Sequence, residues 1–254
     1  MALDKADAGD ILKWNKLWAA YYNVFRQTAG TQHTNSPLIK QGFVVDSLDP
    51  ELARITLSVL DAAKTVPFRV DSFFSNFCYS PADQDCEDRL NREHLYIDMT
   101  PDILWHMDTV LAAIKESVDK AVCTPWRVLN VRPWKTIGSD NISDSFGPLA
   151  WHDDGMPEGI FKVLVYLTEL SDKTGTVELK LSENNTKRLQ GPPGTYLIFR
   201  NSVVYHRGIP PETKKNTRTV IEITAIPSMK HDLYAVCGGL NARHPSRFWE
   251  TDLR

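Results

Sequence analysis

From Thr124 onward the chain becomes a series of short apolar segments, each closed by turn residues: 161–170, 176–181, 195–199, 203–209 and 218–226. Segments this short cannot build a helical bundle, and their regular punctuation predicts the strands of a sandwich or barrel. Residues 126–134 alternate in the same way and read as a further strand, followed by a polar, turn-rich stretch over 138–147. The first half has a different texture. Ile11, Trp14, Trp18, Tyr21, Tyr22 and Phe25 recur at helical spacing and predict an amphipathic helix over 10–27. Residues 28–37 read as a polar loop and 42–46 as a short strand. A helix capped by Ser47 or Asp49, with Pro50 in its first turn, is expected to bury Leu52, Ile55, Val59 and Ala62. Residues 67–79 are aromatic and of undecided type, and the charged stretch 80–93 reads as a loop and a candidate cover. Thr100 and Pro101 open the clearest helix, with Ile103, Met107, Val110, Ile114 and Val118 on one face.

The expected fold is therefore mainly β with helices: a double-stranded β-helix, the jelly-roll or cupin-like barrel, flanked by N-terminal helices. A single domain is expected over residues 1–254, helical over 1–123, barrel over 124–227 and a polar tail over 228–254. A hydrophobic share of 42% supports a sizeable core.

Charge and cysteine usage exclude several classes of function. A net charge of −3 without any lysine or arginine run leaves no electrostatic footprint for nucleic acid. The four cysteines, Cys78, Cys86, Cys123 and Cys237, show neither CxxC spacing nor a dense disulfide framework. The polar, acidic start of the sequence does not read as a signal peptide, and no apolar run is long enough to span a membrane. A cytoplasmic protein is expected.

Within the β-rich half, AWHDDGMPE (150–158) and VVYHRG (203–208) carry the chemistry. On an extended strand His152 and Asp154 leave the same face, while Asp153 points away. His206 arrives from a later strand. Two imidazoles and one carboxylate form a three-point set that leaves open positions on a metal, the facial triad of non-haem iron(II) oxygenases. The same donor types suit manganese, nickel or zinc, and two structural histidines are the bland alternative. Arg218 opens the strand RTVIEITAI; a guanidinium binds a carboxylate through two parallel hydrogen bonds and keeps its charge when desolvated. Strand parity in 161–170 separates an apolar set, Val163, Val165 and Leu167, from a mixed set, Lys162, Leu164, Tyr166 and Thr168, expected to face the cavity. Asn130 and Arg132 share a face of the preceding strand and, with Trp134, are candidates for cosubstrate or substrate contact.

The order His-x-Asp, His, Arg resembles the iron(II)- and 2-oxoglutarate-dependent dioxygenases. WHDDG, KVLVYLTEL, Gly175-Thr176 and GPPGTYLIFRNSVVYHRG look like the phytanoyl-CoA dioxygenase branch, over roughly Val128–Pro227. The resemblance implies His152, Asp154 and His206 as iron ligands, Arg218 as the clamp for the distal carboxylate of 2-oxoglutarate, and Tyr166 beside the cosubstrate, with Asn130 and Lys162 as further cosubstrate candidates. It also implies Fe(II), 2-oxoglutarate and O2 as cofactor and cosubstrates, and oxidation of an unactivated C–H bond of a small molecule with release of succinate and carbon dioxide. Gly208 departs from relatives that carry a hydroxyl residue two positions after the distal histidine, which leaves the second cosubstrate contact open. Asp154 argues against the halogenase variants, in which a small residue replaces the carboxylate. A cosubstrate-independent cupin-type dioxygenase or isomerase and a non-catalytic jelly-roll binding module are the rival readings. The substrate, the kind of oxidation and the oligomeric state are not legible.

Overall fold

A computed structural model describes residues 35–67, 94–124, 126–138, 149–154 and 159–227. The expected helix over 10–27, the 67–79 stretch beyond residue 67, all of 80–93, the loop over 138–147 beyond Gly138, Cys78, Cys86, Cys237 and the tail lie outside the described residues. Cys123 is free and exposed.

Among the described residues ten antiparallel strands form two sheets, and the fold is the jelly roll. The larger sheet contains β1 (Phe43–Ser47), β2 (Thr65–Pro67), β3 (His94–Ile97), β4 (Trp126–Ile137), β5 (Phe161–Tyr166), β8 (Thr195–Phe199) and β10 (Thr217–Pro227) in the order β1-β8-β5-β10-β4-β3-β2. The smaller sheet contains β6 (Thr176–Ser182), β7 (Asn185–Arg188) and β9 (His206–Ile209), with β6 in the middle. Among the described residues three helices accompany them: α1 (Pro37–Gln41), α2 (Pro50–Ala62) and α3 (Pro101–Val122). Among the described residues no helix is long and apolar enough to cross a membrane.

Alternation divides the larger sheet into two faces. Val163, Val165 and Leu167 of the β5 segment, with Ile221, Ile223 and Ala225 of β10, pack against α2 and α3 in one core. Leu164, Tyr166, Leu197, Phe199 and Val220 point the other way and pack with Val177 and Leu179 of the smaller sheet. The parity expected for 161–170 is thus observed, because a side-chain period of two commits each residue of a doubly paired strand to one face.

Helix α3 follows its sequence. Thr100 caps it, with its hydroxyl accepting from the Ile103 N–H, and Ile103, Met107, Val110, Ile114 and Val118 are all buried. Polar ties fix its position on the sheet. The Trp126 indole donates to Asp119 at 2.7 Å, the Ser117 hydroxyl to Asp46 at 2.6 Å, and the Tyr196 hydroxyl to the same Asp46 carboxylate at 3.1 Å.

Helix α2 is rotated relative to the expected stripe. Asp49 is the cap, yet Ala53, Thr56 and Leu60 are buried while Ile55 stays 40% exposed. The cause lies at Gly194, where an added Cβ would lie 3.3 Å from the Cβ of Ala53. The helix turns its smallest residue toward this close backbone approach, which hydrophobic spacing alone does not reveal. Two more elements were not expected: residues 37–41, of which only Pro37 fell in the expected 28–37 loop, form α1, and β7 is a fully exposed polar strand with no apolar signature. Gly175 holds φ +83°, and a Cβ there would meet the Ile209 carbonyl oxygen at 2.6 Å, so the turn into β6 requires glycine.

Met107→Ala is expected to lower stability by roughly 2–5 kcal/mol, and Ile55→Ala by at most about 0.5 kcal/mol. Chemical denaturation of the two variants checks the rotated register of α2 against the fully buried stripe of α3.

Candidate metal centre

The site begins with a pair of backbone hydrogen bonds. The His152 N–H donates to the His206 carbonyl at 3.0 Å, and the His206 N–H returns the bond at 2.9 Å. This isolated bridge attaches the HxD segment to the first residue of β9. His152 and Asp154 do not lie on a regular strand as expected: the pairing covers His152 alone. A second anchor then turns Asp154 inward, its N–H donating to the Asn201 carbonyl at 3.0 Å.

Both imidazoles are oriented by their own chain. Nδ1 of His152 lies 2.8 Å from the Ala150 carbonyl, and Nδ1 of His206 lies 2.9 Å from the Val204 carbonyl. A carbonyl only accepts, so each Nδ1 carries the proton and each Nε2 presents a lone pair. The two Nε2 atoms face Asp154, at 3.7 Å from Oδ1 for His152 and 3.9 Å from Oδ2 for His206. One donor atom from each of the three residues fits within a mutual separation of 4.8 Å. Phe199 closes the side of His206, with ring centroids 4.8 Å apart.

Electrostatics favour the ligating form of His206 and of Asp154. Burial pushes the His206 imidazolium down to about 4, so the ring is neutral at physiological pH. Burial alone would raise the Asp154 carboxyl, but the Lys162 ammonium outweighs it, and together with His206 and the Asn201 amide holds the group well below the usual carboxylate range. The donor set, two imidazoles and one ionised carboxylate, fits a divalent transition metal and leaves other coordination positions to non-protein ligands.

The inner face of the larger sheet extends from this triad as a grid of registered residues. Across β5, β10 and β4 one row is Lys162, Thr224 and Asn130; the next is Leu164, Glu222 and Arg132; the third is Tyr166, Val220 and Trp134. Arg218 and Thr136 form a fourth row, with His94 of β3 opposite Thr136. All six non-triad candidates from the sequence (Asn130, Arg132, Trp134, Lys162, Tyr166 and Arg218) therefore take positions on one face. The side chain of Asn130 lies outside the described residues. Tyr166 is buried, which raises its phenol well above the ordinary value. Trp134 meets Tyr96 edge-on at 6.3 Å and lies under the Arg132 guanidinium at 5.4 Å, and its buried indole N–H has no partner among the described residues.

Two of these candidates are engaged by protein groups that the sequence reading did not single out. Lys162 Nζ is 2.9 Å from Asp154 Oδ2 and 3.4 Å from Glu222 Oε2. Arg132 donates to Glu222 from Nε at 2.8 Å and from Nη2 at 2.5 Å. Glu222, only 3% exposed, was visible in RTVIEITAI by parity, since Arg218, Val220, Glu222 and Thr224 alternate with an outward set. Asn201, whose amide donates to Asp154 Oδ2 at 2.8 Å, carried no such signal.

Arg218 is different. It is 5% exposed, and among the described residues no carboxylate pairs with it. Its Nη1 donates to the Thr176 carbonyl at 2.7 Å and the Ile209 carbonyl at 2.8 Å, Nη2 reaches the Thr136 hydroxyl only at 3.4 Å, and the buried Nε has no partner among the described residues. A buried cation with an unused donor fits an anionic ligand.

No family model and no curated protein matches the chain. Solved structures do match it in shape. One is the nickel complex of ThoJ, a non-haem monooxygenase, with a TM-score of 0.51 and 18% identity over 75% of this chain and 76% of that one. Another is SnoN, a non-haem alpha-ketoglutarate-dependent epimerase from nogalamycin biosynthesis, with a TM-score of 0.52 and 12% identity over 82% of this chain and 83% of that one. The chain shares their fold. At such identities the likeness extends to the jelly-roll architecture, and the site's chemistry is argued from its own residues.

Burial and the neighbouring Arg218 cation push the His94 imidazolium down to about 3 from its ordinary 6.5. The folded state therefore resists a proton that the unfolded chain accepts. Stability from this histidine is complete above pH 6.5 and is lost as the pH falls toward about 3. His94→Asn is expected to flatten the fall in melting temperature between pH 6.5 and 4, measured against wild type in the same buffers.

Proposed function

We propose that this chain is an iron(II)- and 2-oxoglutarate-dependent oxygenase that oxidises an unactivated C–H bond of a small molecule, with release of succinate and carbon dioxide. The observation that carries the reading is a pair of unmet demands on one barrel interior: three converging metal donors, and a buried guanidinium with no carboxylate partner among the described residues. 2-Oxoglutarate answers both, with a keto acid for the metal and a distal carboxylate for the arginine.

His152, Asp154 and His206 would hold the iron, which supplies the oxygen chemistry that side chains lack. The chain's own residues bind, orient and exclude water. The Nδ1 bonds to Ala150 and Val204 keep both Nε2 lone pairs toward the metal position. Arg218 offers Nε to a carboxylate, and the Thr136 hydroxyl beside its Nη2 answers the contact left open by Gly208. The apolar ring of Phe199 and the side chains of Leu164, Tyr166 and Val220 form a wall that favours charge pairing by keeping water out. Arg132 and Trp134, both half-buried on the same face, are assigned to substrate contact. Residues 1–254 are taken to act as one catalytic domain around the 124–227 barrel.

Anaerobic titration with iron(II) and then 2-oxoglutarate is expected to develop the weak visible charge-transfer band of the chelate. His152→Ala abolishes the band, and Arg218→Met weakens 2-oxoglutarate affinity about 10- to 100-fold, the scale of lost charge-assisted hydrogen bonds. Iron binding without a band would remove the cosubstrate from the reading, and absence of metal binding would remove the reading itself.

A further inference from the structure

Four charged side chains link the metal centre to the sheet interior with alternating sign: Asp154, Lys162, Glu222 and Arg132. Three strands contribute. Lys162 stands on β5, Glu222 on β10 diagonal to it, and Arg132 on β4 directly opposite Glu222. Lys162 and Glu222 are buried, and Arg132 is half-buried. The end of the chain of charges is specific to one atom. Asp154 Oδ2 accepts from Lys162 at 2.9 Å and from the Asn201 amide at 2.8 Å, so two donors converge on this one oxygen. Oδ1 is not used by either donor.

We propose that Lys162, held in place by Glu222 and Arg132, is a positioning residue that reserves Oδ2 of Asp154 and thereby presents Oδ1 to the metal as a single-oxygen ligand. The inference rests on the metal-centre reading above and assigns Lys162 to the carboxylate ligand rather than to 2-oxoglutarate. Its physical basis is twofold. A buried carboxylate facing two imidazole lone pairs needs a cation nearby while the metal is absent, and the ammonium provides one. A carboxylate free to rotate about χ2 presents either oxygen or both, and two donors on one oxygen remove that freedom. Glu222 restrains the flexible lysine stem from behind, and Arg132, donating twice to Glu222, keeps that second carboxylate from competing for the metal.

The test measures cobalt(II) or iron(II) affinity without 2-oxoglutarate, the visible spectrum of the cobalt form, and 2-oxoglutarate affinity at saturating metal. Wild type is compared with Lys162→Met, Lys162→Arg and the charge-balanced double variant Lys162→Met/Glu222→Gln, each checked for folding by its melt. Lys162→Met and the double variant are expected to lose about 10- to 100-fold in metal affinity, the usual cost of removing a group that orients a ligand. Their cobalt spectra should change in intensity, and Lys162→Arg should restore part of the affinity. A merely structural lysine would move the melt but not the spectrum of the folded variant. Metal affinity within twofold of wild type in both methionine variants overturns the proposal, and so does a selective loss of 2-oxoglutarate affinity, which would make Lys162 a cosubstrate contact. Wild type that binds no metal overturns the metal-centre reading and this inference with it, whereas wild type that binds metal while the variants match it overturns only the latter.

Discussion

Strand β10 is hydrogen-bonded along both edges, to β5 and to β4, and this double pairing is the constraint on which the rest of the molecule depends. A strand paired on both sides cannot roll, so each side chain is committed to one face. Thr219, Ile221, Ile223 and Ala225 face the helical layer. Arg218, Val220, Glu222 and Thr224 face the smaller sheet. The polar members of the second set lie in a barrel that water scarcely reaches, and every one of those charges therefore demands a partner. Glu222 finds Arg132 and Lys162 across its two neighbours; Arg218, four residues along the same face, finds no carboxylate among the described residues. One strand thus carries both the best-satisfied and the least-satisfied buried charge of the described interior.

The larger and smaller sheets meet at the metal donors. His206 belongs to the smaller sheet through Leu179, and His152 is attached to it by a reciprocal backbone bridge, while Asp154 is drawn to the larger sheet by Lys162. The three donors consequently come from both layers of the sandwich, and their convergence is a property of the layer spacing and not of any local segment. The outer face of the smaller sheet adds a further tie: the Arg207 guanidinium lies 4.8 Å over the Trp151 ring while pairing with Glu178, so the residue just before His152 is held to the strand that carries His206.

Much of this was legible beforehand because strand parity and motif order are local. The outward set of 161–170, the stripe of α3 and the trio of His152, Asp154 and His206 all follow from alternation, from 3.6-residue periodicity and from the chemistry of imidazole and carboxylate donors. Other features were hidden for identifiable reasons. Helix α2 is rotated because Ala53 faces Gly194, a contact between segments far apart in sequence. Strand β7 has no apolar residue to betray it, because both of its faces are exposed. Lys162 read as an open cavity group because its partners, Asp154 and Glu222, come from elsewhere in the chain.

The sequence by itself determined which residues are committed to the barrel interior and which donor types are available there, since a period-two pattern and the titration chemistry of side chains need no knowledge of the fold. Only the tertiary structure decided which of those interior charges neutralise one another and which are left for a ligand. That outcome depends on register across three strands, and a shift of one residue in any of them would reverse every side chain and pair a different set. The register that formed gives Glu222 to Arg132, gives Asp154 to Lys162 and leaves Arg218 without a counterion among the described residues.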